Sequence, residues 1–165
     1  MSQKGKIKQS CRKSSAGFTL IELMITLAIM VTLSSVSFFY YANSYRQNLL
    51  TTASSEIVFL TRLAQQESIS QKENRSWGVR FDNSDSNVPF LAVFSGSYVQ
   101  ANVRERYYLP SQLGFQSPAA GTSTEIIFSK LKGIPNASST VIFGLKNSAS
   151  QKNLVVNASG GISVD

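Results

Sequence analysis

Gly17-Phe18-Thr19-Leu20-Ile21-Glu22 opens an apolar run whose reading decides the fold. Residues 18–41 read FTLIELMITLAIMVTLSSVSFFYY, 24 residues with no Pro, no Gly and one charged side chain, Glu22. About 20 apolar residues in helical form cross a bilayer, so the run predicts a membrane-spanning helix. Glu22 is the anomaly within it. On insertion scales an acid at the centre of such a helix costs roughly 2.5 to 3.5 kcal/mol, and less near the interface, so its carboxylate demands a partner.

The flanks give the run its direction. Net charge is +7, but Lys4, Lys6, Lys8, Arg12 and Lys13 all precede Gly17, with no acid among them. The rest of the chain is nearly neutral, so the high pI is a property of the leader and says little about nucleic acid. Basic residues before an apolar helix place the N-terminus in the cytoplasm and the remainder outside it. A secretory signal has its small-residue cleavage site after a short apolar region. Here Ser14-Ser15-Ala16-Gly17 comes before the run, which ends in bulky Phe38-Phe39-Tyr40-Tyr41. Cleavage before the helix removes the leader and keeps the anchor. It also removes Cys11, the only cysteine, so no disulfide or Cys-based metal site is expected in the processed chain.

Helical character continues beyond the span. Leu49, Ala53, Ile57, Leu60 and Ala64 recur at helical spacing, whereas Arg46, Gln47, Glu56, Arg62, Gln65, Gln66 and Glu67 lie off that stripe. One helix is predicted over about 19–70, apolar all round in its first half and amphipathic in its second. The period then changes to two: Trp77, Val79 and Phe81 alternate with Gly78 and Arg80, as in a strand with one buried face. Residues 82–87 read as a solvated polar turn. Further strands are predicted at 90–94, 103–109, 125–129, 140–145, 153–157 and 161–164, the last two joined by the turn signal Ser159-Gly160-Gly161. No helical crossover separates these strands, which points to antiparallel sheets and an α+β fold. The expected divisions are a leader at 1–17, the transmembrane helix at 18–41, its amphipathic continuation at 42–70 and a β-rich head at 71–165.

The basic leader ending in Gly17, followed by Phe18-Thr19-Leu20-Ile21-Glu22-Leu23 and an apolar helix, resembles the type IV prepilin family. The resemblance implies that a prepilin peptidase cuts between Gly17 and Phe18 and methylates the new amino group of Phe18. It also implies a pilin-like fold: a long N-terminal helix packed on antiparallel sheets. Subunits then pass from the bacterial inner membrane, through an assembly platform, into a helical filament in which Glu22 pairs with the amine of a neighbouring Phe18. Electrostatics supports the pairing independently, because a carboxylate among apolar helices is expensive without a cation and more useful for register than for stability. The bland alternative is that Glu22 snorkels to the interface.

The rest of the chain is similar to the minor pilin and pseudopilin branch called GspH/FimT. Trp77-Gly78-Val79-Arg80-Phe81, Ile126-Ile127-Phe128, Val141-Ile142-Phe143 and Leu154-Val155-Val156 with Gly160-Gly161 carry that likeness. It implies a structural subunit of a type IV pilus or a type II secretion pseudopilus, with other pilins as partners. Several FimT-like members implicated in DNA uptake end in a Gly-Arg-x-Arg tail, whereas this chain ends Gly160-Gly161-Ile162-Ser163-Val164-Asp165. A DNA-binding minor pilin for natural transformation is therefore the second reading. Arg104-Glu105-Arg106 beside Tyr107-Tyr108 is its best candidate surface, and a strand edge protected by charge explains the same residues.

Enzymatic classes find little footing. Zero histidine removes His-based triads, metal sites and acid/base pairs, and no P-loop occurs. Asp82 and Asp85 lack the alternation and terminal Glu of an EF-hand. No cofactor and no catalytic residue is expected.

Overall fold

The computed structural model describes residues 17–165, except the side chains of Val36, Ser37 and Phe39. The expected leader, with its five basic residues and Cys11, lies outside the described residues but for Gly17. The chain divides into two compact units, Met1–Tyr41 and Ala42–Asp165. A single helix, α1 (Leu20–Ile69), contributes to both. Its 50 residues contain neither Pro nor Gly, so nothing in the sequence interrupts the hydrogen-bond ladder. Just past its end Gln71, Glu73 and Asn74 take left-handed φ values of 54°, 57° and 53°. Trp77 holds this turn in place, its indole N–H donating to the Lys72 carbonyl at 3.1 Å.

The second unit joins the amphipathic part of α1 to eight strands. These are β1 (Trp77–Asp82), β2 (Phe90–Ser95), β3 (Val103–Tyr108), β4 (Leu113–Ser117), β5 (Ser123–Phe128), β6 (Ser139–Leu145), β7 (Gln151–Val156) and β8 (Ile162–Val164). They form two four-stranded sheets in the orders β3-β2-β1-β5 and β4-β6-β7-β8. Every pairing is antiparallel, so the expected α+β architecture holds. Ala53, Ile57, Leu60 and Ala64 of the predicted stripe are fully buried, and Leu50 takes the place expected of Leu49, which is only partly covered. They share one core with Val79, Phe81, Leu91, Val93, Ile126 and Phe128 of the first sheet and Phe115, Val141, Phe143, Leu154 and Val156 of the second. Each large side chain so buried contributes roughly 1.5 to 3 kcal/mol. Phe81 and Phe115 meet edge to face across the two sheets, with centroids 5.9 Å apart.

Two features depart from the sequence reading. Strand β4 was not expected: only Leu113 and Phe115 mark its buried face, and Gly114 and the flanking Pro110 and Pro118 dilute the pattern. The turn at 82–87 is also less solvated than expected, since Asp82 and Asn83 are buried. The Asn83 amide donates to the carbonyls of Phe115 (3.3 Å) and Pro118 (2.8 Å), and its own backbone exchanges bonds with Gly121 and Thr122. It ties the end of β1 to the segment after β4.

Gln65 makes a matching tie. Its side-chain amide donates to Gly133 O at 2.9 Å and Gly160 O at 2.8 Å, joining the loop after β5 to the β7–β8 turn. Gly160 has φ of +89°, and a Cβ there would stand 2.9 Å from Gln65 Nε2 and 3.0 Å from Gly133 O. Both the backbone conformation and the close approach require glycine. Ser68 completes the attachment by donating to Phe128 O at 2.7 Å. Gln65→Leu leaves two part-buried carbonyls without their donor, and is expected to lower stability by about 1 to 3 kcal/mol in urea unfolding of the full chain in micelles.

Candidate processing and assembly site

Gly17, Phe18 and Thr19 have no regular structure and are exposed, Phe18 by 81%. Helix α1 begins immediately after them because Thr19 caps it. The Thr19 hydroxyl accepts the Glu22 N–H at 3.3 Å, and the Thr19 carbonyl accepts the Leu23 N–H at 3.2 Å. Thr19-x-x-Glu22 is the capping-box pattern, a spacing signal carried within the same stretch as the family motif. Phe18 therefore sits one residue outside the helix, and the Gly17–Phe18 peptide lies in open, non-helical chain of the kind a peptidase can grip.

Glu22 occupies the first turn, where the positive end of the helix dipole favours a carboxylate. It is exposed, and among the described residues no cation forms an ion pair with it. Gly17, Phe18 and Glu22 thus lie together at the helix start, with the carboxylate available to a group from another chain.

The following turns carry an exposed apolar surface. Among the described residues Leu20, Ile21, Leu23, Met24, Ile25, Leu27, Ile29, Met30, Val31 and Leu33 are all exposed, and α1 is long and apolar enough to cross a membrane. Its hydroxyls turn inward on the backbone: Thr26 donates to Leu23 O, Thr32 to Ile29 O, Ser34 to Met30 O and Ser35 to Val31 O, at 2.7 to 2.9 Å. Such back-bonding satisfies groups that would be costly to leave bare in hydrocarbon.

On the head, the basic and aromatic run in β3 is divided by strand geometry. Arg106 and Tyr108 pair with Ala92 and Phe90, whereas Tyr107 pairs with Leu91, whose side chain is in the core. Successive side chains point to opposite faces, so the two tyrosines do not form one platform. Arg104 falls at an irregularity in the pairing, reaches Glu67 at 3.0 Å and lies over the Trp77 ring. Arg106 lies over Phe90 and donates to Gln100. Burial and the Glu56 carboxylate both push the Tyr107 phenol above its ordinary value.

Arg80, on β1, joins Asp82 at 2.8 Å and Glu125 at 2.7 Å, with the Tyr98 ring 4.3 Å from its guanidinium carbon. Asp82 also accepts the Ser84 N–H, and Asp85 accepts that of Asn87. Among the described residues no three His, Cys, Asp or Glu side chains converge as a metal site.

Residues 12–38 match the family described as the prokaryotic N-terminal methylation motif. The head and its helix have the pilin fold. Two crystal forms of the type IV minor pilin FimU from Pseudomonas aeruginosa are similar to this chain at 16% identity. One gives a TM-score of 0.52 over 70% of this chain and 92% of FimU, the other 0.55 over 72% and 90%. No curated protein matches the sequence.

The Arg80 network has a pH signature. Burial raises the Asp82 pKa, but hydrogen bonds from Ser84 and the Arg80 interaction outweigh it, so the group ends below its ordinary 3.8. A depressed carboxylate stabilises the fold above its unfolded pKa, and that stabilisation is lost as pH falls through the folded value. Acid titration of stability should therefore steepen below about pH 4, and Asp82→Asn should flatten that limb.

Proposed function

We propose that this chain is a minor pilin or pseudopilin of the GspH/FimT type. It is a structural subunit, held in the bacterial inner membrane by α1 with its head outside the cytoplasm, and incorporated into a type IV pilus or a type II secretion pseudopilus. A prepilin peptidase cuts Gly17–Phe18 and methylates the Phe18 amine. In the filament Glu22 receives the Phe18 amine of a neighbouring subunit and fixes axial register. The proposed divisions are the leader at 1–17, the span at 18–41, its amphipathic continuation at 42–70 and the head at 71–165.

The observation that carries this reading is the conjunction at the helix start. A methylation motif over residues 12–38 spans an exposed peptide just before a capped helix, and that helix opens with a carboxylate that has no ion pair among the described residues and leads into a head of the pilin fold. Inside a packed filament such a carboxylate is costly unless it meets a cation, and a freed α-amine four positions before it supplies one. The alternative of DNA binding gains little support from the head, where Arg104 and Arg106 are already engaged by Glu67, Trp77, Phe90 and Gln100.

Co-expression with a prepilin peptidase should reduce the intact mass by residues 1–17 and add one methyl group. An unchanged mass beside a peptidase that processes a control prepilin rejects the proposal. Glu22→Ala should still insert in the membrane but enter filaments poorly: losing one partner of a buried pair costs about 3 to 5 kcal/mol, so immunoblots of sheared filaments should show a loss of more than tenfold. Normal incorporation would remove the pairing role.

A further inference from the structure

Five basic residues gather where α1 gives way to β1. Lys72 and Arg104 reach the same Glu67 oxygen, at 2.7 and 3.0 Å, and both lie over the Trp77 ring. Arg75 lies beside them on the wall of a cavity of about 400 Å³ and meets Asn102 Oδ1 at 3.5 Å. Lys130, from the loop after β5, reaches Asn74 of the same turn at 3.3 Å, and Lys132 is exposed two residues on. Glu67 is thus shared between two cations, and Glu73, the one acid among the residues lining the cavity, forms no ion pair among the described residues. From this arrangement we infer that this end of the head docks an acidic protein segment carrying apolar side chains. The inference concerns the head alone and goes beyond the reading as a filament subunit.

The apolar part of this surface is held out by strain. The Lys132 N–H bonds to the Lys130 carbonyl at 2.7 Å around Leu131, whose φ is 65°. This is a γ-turn of the rare, strained hand, and the leucine gains no burial in return, being 64% exposed. The loop is fixed from several sides: the Leu131 N–H donates to Ser68 O, the Ser129 N–H to Ile134 O, and Gln65 holds Gly133 O. Ile69 rests on Gly133, where a Cβ would stand 2.7 Å from its side chain, so Ile69, Leu131 and Ile134 form one exposed apolar group. Strain of this kind persists where the surroundings over-determine it, and it clusters at functional surfaces. Apolar anchors already fixed in place also dock with little further loss of freedom.

Charge and shape together choose the partner. A surplus of ammonium and guanidinium groups around Glu67 favours carboxylates, which an arginine fork takes through two bonds. The aliphatic side chains beside them favour a partner with apolar groups of its own. Nucleic-acid bases stack on open aromatic faces, whereas the Trp77 ring is buried beneath Lys72 and Arg104. A bilayer surface is flat, whereas the cavity between the turn and β3 is concave and has room for a side chain.

Fluorescence anisotropy with the full chain in non-ionic micelles tests this. The probe is a labelled helical peptide with Leu along one face and Glu along the other, measured against micelles alone. It should bind, and versions with Ser for Leu or Lys for Glu should bind about tenfold more weakly. Leu131→Ser, and Lys130→Glu with Lys132→Glu, should each weaken binding of the first peptide about tenfold. Arg46→Glu, on an exposed turn of α1 outside this surface, should leave it unchanged. Circular dichroism checks that each variant keeps its fold, and Leu131→Ala replaces Leu131→Ser if the latter does not. Equal binding of the three peptides, no loss in the Leu131 or lysine variants, or an equal loss with Arg46→Glu overturns the inference. Displacement of the peptide by oligothymidylate or phosphatidylglycerol vesicles, lost with Lys130→Glu and Lys132→Glu but kept with Leu131→Ser, would reassign the surface to phosphate groups and overturn its protein partner.

Discussion

The head depends on one stripe of a helix being covered by two sheets at once. Ala53, Ile57, Leu60 and Ala64 are fully buried, and the small Ala53 and Ala64 leave room around Ile57 and Leu60 for aromatic side chains from both sheets. Each four-stranded sheet has one apolar face to bury, and the helix stripe is the layer they share. Removing this stripe would therefore expose Phe81, Phe128 and Phe143 together rather than one at a time. With no disulfide to hold the head, cohesion rests on this shared core and on the polar ties at its margins.

Those ties were the least legible part of the sequence. Gln65 lies off the apolar stripe and reads as a solvated helix residue, yet it holds two carbonyls that come from loops 68 and 95 residues away. Asn83 reads as a turn residue, yet its amide is buried and joins β1 to the end of β4. Both side chains work through backbone carbonyls brought near by tertiary folding, and no local pattern announces that. The helix and seven of the eight strands were legible because their periodicities are strong: a long Gly- and Pro-free helix, then runs such as Ile126-Ile127-Phe128 and Val141-Ile142-Phe143. Strand β4 was missed because two apolar residues between prolines make too short a pattern to distinguish from a loop.

The site at the helix start was legible as a motif before it was legible as geometry. The family resemblance marks Gly17, Phe18 and Glu22, while the Thr19-x-x-Glu22 spacing marks a helix cap. The cap explains why the first two residues of the motif stand clear of the helix. The helix dipole gives a local reason for a carboxylate at Glu22, in the first turn of α1. On the head the sequence drew attention to a basic and aromatic run that strand alternation then divided between two faces.

The inward-turned hydroxyls of Thr26, Thr32, Ser34 and Ser35 have a consequence for how the anchor meets its surroundings. Because each is already satisfied by a carbonyl of its own helix, these side chains present mainly carbon to the outside and ask for no particular neighbour. A rod with that finish can change its apolar surroundings without breaking a polar bond at these four positions.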